Sequence, residues 1–298
     1  MKKFITIALA TVTVVAALAG CGNGSSNSND SSNSNNSGDD SSKKTVKVIQ
    51  VDLTDEEYAF GVDKTQPELL DSVNDFIKQI QDDGTFDEIC NKYFGDGTPD
   101  PVTSATLDES KDQLLVATNA AFEPFEYTKG DSYYGVDMEI AAALADYLGK
   151  ELVIQNMDFD AVCLSVGQQK CDIAMAGLTV KPDREEYVTF STSYYVASQR
   201  LITLSDDTEF DSCTDAAAIE AILNEKDSSV KIGVQNGTTG QFYVEGDEDW
   251  EFDGFAATAV GYKNGALAVQ DLLNGNIQYV IIDSAPAAFI TESINKMQ

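Results

Sequence analysis

The chain has no histidine, one tryptophan and six prolines in 298 residues, and its 19 lysines and arginines face 50 aspartates and glutamates. Each shortage removes a class of function. Without histidine there is no Ser-His-Asp relay, no imidazole metal ligand and no switch built on imidazole protonation. A formal charge of −31 argues against binding nucleic acid, because displacing the counterions of a phosphate backbone takes clustered Lys and Arg. Five cysteines leave a Cys-only zinc site as the remaining thiolate option, and their spacing does not suit one. Beyond the first twenty residues no apolar run is long enough to cross a bilayer. The composition leans away from hydrolases and metalloenzymes, and no metal, cofactor or catalytic residue is expected. What remains is a chain about two domains long, with an ordinary globular apolar content of 43%.

The N-terminus is built differently from the rest. Lys2 and Lys3 precede an apolar run from Phe4 to Ala19, which ends in Leu18-Ala19-Gly20-Cys21. This is the layout of a secretory signal over residues 1–20, and it resembles the bacterial lipoprotein signal, in which the Cys is acylated. The small residues give a peptidase access and the thiol receives the lipid, so Cys21 is the expected lipidation site. Residues 21–44 are almost wholly Ser, Asn, Gly and Asp up to Lys43-Lys44, with too little apolar surface to offset the entropy of ordering. They should form a flexible tether of roughly 25–30 Å. Of the other cysteines, Cys90 and Cys163 read as small apolar core residues, and Cys163 with Cys171 is the pair to expect of any disulfide formed.

From residue 46 the pattern is that of packed elements. Residues 46–51 and Tyr58–Val62 read as strands. Leu69, Val73, Phe76, Ile77 and Ile80 form one apolar stripe of a helix that Gly84 ends, and a shorter helix follows over Phe86–Phe94. Residues 95–111, with Gly95, Gly97, Pro99 and Pro101, read as a loop or linker. Strand and helix then alternate: strands at 114–118, 152–154, 173–176, 200–204, 231–235 and 279–282. The helices fall around 140–148, 160–168 (opened by an Asp cap), 215–224, 239–246, 264–273 and 285–296. Such alternation predicts an α/β fold of mostly parallel sheets in two lobes. Ligands of these sheets sit beyond the carboxyl ends of strands, which points to 119–125, 177–184, 236–240 and Asp283.

Those segments carry a resemblance. Thr118-Asn119-Ala120-Ala121-Phe122-Glu123-Pro124-Phe125, followed by Gly135-Val136-Asp137-Met138-Glu139, looks like the start of a bacterial extracellular solute-binding protein of family 3, the receptors for polar amino acids. Ala176-Gly177-Leu178-Thr179 with Arg184, then Phe190-Ser191 and Tyr194-Tyr195, matches the next part. Gly233-Val234-Gln235-Asn236-Gly237-Thr238-Thr239 and Ile281-Ile282-Asp283 match the second lobe. The family's closing segment resembles residues 46–95 of this chain, which suggests a circular permutation joined through 95–111. The resemblance implies a two-lobed, periplasmic-binding-protein-like (type II) fold with a hinge. Residues 45–54 would be a strand of lobe 2, 55–200 lobe 1 and 201–298 the rest of lobe 2.

The resemblance also implies a site. Arg184 would take a ligand carboxylate in its planar fork, with Thr179 and the Gly177 amide completing the shell. Asp283 would hold the ammonium. The amides and hydroxyls of Thr238 and Thr239 would face the carboxylate, Phe122 and Phe159 would form apolar walls, and Asn119, Ala176 and Gln235 complete the set. Tyr194 and Tyr195 belong to the hinge. Asn119, where many relatives carry Asp, weakens the case for a cationic ligand and favours a neutral polar one such as glutamine. The expected protein is a monomeric, lipid-anchored receptor on the outer face of the cell membrane, handing a free amino acid to an ABC transporter permease. A sensor module signalling to a membrane partner is one alternative. A dehydratase on the same scaffold is another, with Glu123 or Glu126 as its general acid.

Overall fold

A computed structural model describes residues 43–298; the expected signal segment, Cys21 and nearly all of the tether lie outside the described residues. The chain enters through β1 (Val46–Val48), β2 (Glu56–Tyr58) and β3 (Gly61–Asp63), then the helices α1 (Pro67–Asp82) and α2 (Thr85–Phe94). Next come β4 (Gln113–Thr118) and a three-stranded meander of β5 (Ala121–Phe122), β6 (Glu126–Lys129) and β7 (Ser132–Tyr134). They are followed by α3 (Val136–Leu148), β8 (Glu151–Asn156), α4 (Val162–Gly167), β9 (Ile173–Ala174), β10 (Val188–Phe190) and β11 (Tyr195–Ala197). The remainder is β12 (Gln199–Leu204), α5 (Ala216–Leu223), β13 (Lys231–Gln235), α6 (Thr239–Glu245), β14 (Thr258–Tyr262), α7 (Gly265–Asn274), β15 (Tyr279–Asp283) and α8 (Ser284–Met297).

Local chemistry sets many of these boundaries. α1 opens with Pro67, whose missing N–H costs nothing in a first turn, and buries Val73, Phe76, Ile77 and Ile80 along one stripe. Gly84, in the left-handed region, turns the chain into α2. The side chains of Asp215 and Asn264 accept from Ala218 and Leu267 amides and so cap α5 and α7. The Asp cap expected for the helix near 160 is not formed. Asp160 instead lies inside a 3-10 turn, Phe159–Ala161, that leads into α4.

Two five-stranded sheets divide the molecule into lobes. The first lobe orders its strands β10-β3-β9-β4-β8 and the second β1-β12-β15-β13-β14. The expectation of mostly parallel sheets needs correcting. β4 runs parallel to β8 and β9, and β13 parallel to β14 and β15, but β3 and β12 are antiparallel to their neighbours. The reason is the route of the chain: β3 and β12 each arrive from the other lobe and enter their sheet against the direction of the strand–helix–strand units. The crossings are made by β2 and β11, which pair as an antiparallel ribbon with Tyr58 opposite Tyr195 and Glu56 opposite Ala197. The strand expected over Tyr58–Val62 is therefore two short strands, one in the hinge ribbon and one in the first sheet.

The segment 46–95 is built into both lobes. β1 closes the edge of the second sheet on β12, while the Asn295 side chain of α8 both accepts from the Val46 amide and donates to its carbonyl. In the first lobe Glu139 of α3 accepts from Lys92, from Tyr93 and from the Asp100 amide. The loop that follows is pinned, because Val102 is buried and bridges to Tyr133. Cys90, Cys163, Cys171 and Cys213 are all free thiols, the first three of them buried. Burial raises the Cys90 thiol to about 12, in keeping with an inert core residue.

Candidate functional site

A small cavity lies where the two lobes meet. The first lobe lines it with Phe122, Phe159, Gly177, Thr179 and Arg184, and the second with Gln235, Thr238, Thr239 and Asp283. Phe122, Gln235 and Asp283 end strands, and the other six stand in the turns or at the helix start that follow strands, so the sheets aim nine candidate residues at one point. Two others sit differently. Asn119 donates to the Met157 carbonyl at 2.7 Å and accepts from Gln235 at 3.0 Å, flanking the cavity. Ala176 packs into the first lobe's small apolar cluster with Ala174 and Leu178 and does not line it.

The lobes are closed on each other. Arg184 donates to the Thr179 carbonyl of its own lobe at 2.8 Å and to the Gly237 carbonyl of the other at 3.2 Å. Its guanidinium carbon stands 5.3 Å from the Phe159 ring centre. Lys181, only 2% exposed, crosses from the first lobe to Asp247 at 2.6 Å, and its ammonium sits 4.9 Å from the Trp250 ring and 5.2 Å from Phe242. At the rim Lys263 reaches Asp158 at 3.1 Å.

Hydrogen bonding revises the expected ligand shell. The Gly177 amide is engaged, donating to Asp137 Oδ2 at 2.9 Å, so it is not a carboxylate donor. The threonine hydroxyls are engaged too: Thr238 donates to the Gln235 carbonyl, and Thr179 and Thr239 both donate to Glu56. A hydroxyl has one proton, so none of the three can also donate to a ligand carboxylate from this arrangement. Arg184 is left as the charged donor of that pole.

The acids around the cavity are deeply buried. Asp283 is 4% exposed and accepts the Tyr58 hydroxyl on Oδ1. Burial, and then the neighbouring Glu56 carboxylate, raise its pKa to about 7, against smaller opposing effects of its hydrogen bonds. Asp137 is raised to about 6 by burial, although the Tyr194 hydroxyl and the Gly177 amide both donate to it. Glu126 is fully buried with neither carboxylate oxygen hydrogen-bonded among the described residues, and burial together with Asp137 and Asp283 pushes it well above the usual range. Neither Glu126 nor Glu123, the acids named for a dehydratase, is among the described residues lining the cavity.

The profile of the bacterial extracellular solute-binding proteins, family 3, matches residues 7–96 and 114–285. The chain belongs to that family. Its relatives include the arginine-binding extracellular protein ArtP of Bacillus subtilis (strain 168), 35% identical over 99 residues, which are 33% of this chain and 39% of that one. A putative ABC transporter arginine-binding protein 2 of Escherichia coli (strain K12) is 30% identical over 61% of this chain and 66% of its own. This family-3 chain thus spans less than two thirds of the length of the curated relatives it matches. Among solved structures, an ancestral arginine-binding protein is similar in its forms bound to arginine and to glutamine. The identities are 28% and 27%, the TM-scores 0.51 and 0.50, and both forms cover 62% of this chain and 76% of their own. The type II two-lobed architecture is shared with these amino-acid-binding proteins.

Several residues around the cavity of this family-3 chain escape a reading of strand ends. Glu56 and Tyr58 come from the hinge ribbon, and Lys181 and Asp247 from loops. The alternation of β2, with Glu56 and Tyr58 buried and Glu57 exposed between them, is the one signal that could have found the first two.

Proposed function

We propose that this protein captures a free α-amino acid between its lobes and passes it to an ABC importer. The observation that carries the reading is that Arg184 and Asp283, one from each lobe, face the same cavity. A guanidinium and a carboxylate brought to one closed cavity by opposite lobes suit the two charges of a zwitterion, and exclusion of water strengthens both pairings. The Asn119–Gln235 carboxamide pair, with the buried Gln235 Oε1 lacking a partner among the described residues, favours a neutral polar side chain such as that of glutamine. The ancestral relative bound to glutamine supports that choice, while the relatives named for arginine supply the competing ligand. Calorimetric titration with the twenty amino acids tests the reading: glutamine should bind more tightly than arginine. Binding of none would refute it, and tighter binding of arginine would overturn the neutral preference.

The protein is further proposed to be a monomer held to the outer face of the membrane by an acylated Cys21. Cys21→Ser should release it from the membrane fraction, and continued membrane association would exclude that anchor. We also infer that the order of its segments is a circular permutation of the family's. Support comes from the contact of Asn295 with Val46, which sets the two ends of the folded body side by side.

A further inference from the structure

Glu56 is 3% exposed and lies in β2, the hinge strand. It gathers donors from the hinge and from both lobes. Oε2 accepts from Thr179 of the first lobe at 2.5 Å and from Thr239 of the second at 2.8 Å. Oε1 accepts from Thr54 at 2.6 Å and from Gln199 at 2.9 Å. Gln199 also donates to Thr239 Oγ1 at 2.9 Å. With their single protons committed to Glu56, the two threonine hydroxyls can offer the cavity lone pairs and nothing else. Both line it, as does Asp283, whose ionisation Glu56 opposes from close by.

Resting on the amino-acid reading above, the geometry points to Glu56 as the positioning residue of the ammonium pole. It turns Thr179 and Thr239 into acceptors and adds a second negative charge behind Asp283. The pole then recognises a cationic nitrogen with three donors, which an ammonium supplies and a des-amino acid lacks. A carboxylate at this position also explains why the two hydroxyls do not donate to a ligand carboxylate held by Arg184. The acceptors so formed add to Asp283 in holding an ammonium.

The test is a pair of titrations on the wild type and on Glu56→Gln, using L-glutamine and its des-amino analogue 4-carbamoylbutanoate. L-arginine and 5-guanidinopentanoate replace them if arginine is the ligand the wild type prefers. Glu56→Gln keeps the side chain's shape and should weaken the amino acid at least tenfold, while changing the des-amino compound less than twofold. A parallel loss for both compounds would mean that Glu56 only holds the hinge, and would overturn the proposal, as would no loss for either. Failure of the wild type to bind either amino acid defeats the reading beneath it, an outcome distinguishable because it appears before any substitution. Should Glu56→Gln not fold, as judged by its thermal melt, Thr239→Val retains the carboxylate, deletes one acceptor and should show the same selective loss.

Discussion

Replacing Lys181 with methionine tests whether closure of the lobes depends on a contact remote from the ligand charges. Lys181 and Asp247 have side chains 2% and 8% exposed, and the ammonium is additionally flanked by Trp250, Phe242 and, at 3.6 Å, Asp249. Methionine preserves the buried stem and removes the charge, leaving Asp247 desolvated without its partner. Removing one member of a buried pair costs about 3–5 kcal/mol when the other is trapped. Asp247 is not trapped, because opening the lobes returns it to water. The penalty therefore falls on the closed state, reduced to about 2–3 kcal/mol by that escape and including the lost cation–π attraction. Amino-acid affinity should drop about 30- to 150-fold, since about 1.4 kcal/mol is a factor of ten. Isothermal calorimetry measures the affinity, and small-angle scattering of the ligand-free variant should show a larger radius of gyration. Lys181→Met combined with Asp247→Asn should recover part of the loss. Affinity within threefold of wild type, or strictly additive effects in the double variant, would refute the reasoning.

Other perturbations address the charges directly. Arg184→Ala removes the one guanidinium of the cavity and should weaken amino-acid binding by about 2–5 kcal/mol in calorimetry while the thermal melt stays cooperative; unchanged affinity would take Arg184 out of the site. Asp283 gives a pH dependence with a definite sign. Its carboxyl, held up near 7 mainly by burial, keeps in the ligand-free fold a proton that the unfolded chain has released above about 4. Ligand-free stability on this account falls as pH rises from about 4 to 7, visible as a falling melting temperature. Binding of an ammonium requires the ionised form, so affinity should weaken about tenfold per unit as pH drops below about 7, with one proton released on binding. Asp283→Asn should flatten that slope. A wild-type affinity constant between pH 5 and 8 would contradict the ionisation assigned to Asp283.

Seven of the nine residues lining the cavity fall in the segments beyond strand ends where an α/β sheet places ligands, while Phe159 and Gln235 were legible only through the family resemblance. The elements followed from periodicity, with exceptions that are physically instructive. β14 (Thr-Ala-Val-Gly-Tyr) has no buried residue, and an edge strand of that kind leaves no alternation to read. The antiparallel members of each sheet depend on where the chain crosses between lobes, which no local pattern encodes. Lys181 looks like any surface lysine until the loop carrying Asp247 and Trp250 folds over it from the opposite lobe.

The hidden acids share a deeper cause. In a chain with 50 acidic residues a pair such as Glu56-Glu57 reads as solvated surface, and for Glu57, which is exposed, that reading holds. Glu56, Glu126, Asp137 and Asp283 are instead buried. Arg184 is the single cation lining the cavity among the described residues, so three of these carboxyls are offset mostly by hydroxyls: Tyr58 on Asp283, Tyr194 on Asp137, and Thr179 and Thr239 on Glu56. Neutral donors stabilise a buried carboxylate less completely than a cation does, which is why burial still raises Asp137 and Asp283. A site left short of positive charge in this way gains most from a ligand that brings its own, and an amino acid's ammonium meets that need at the end where the acids converge.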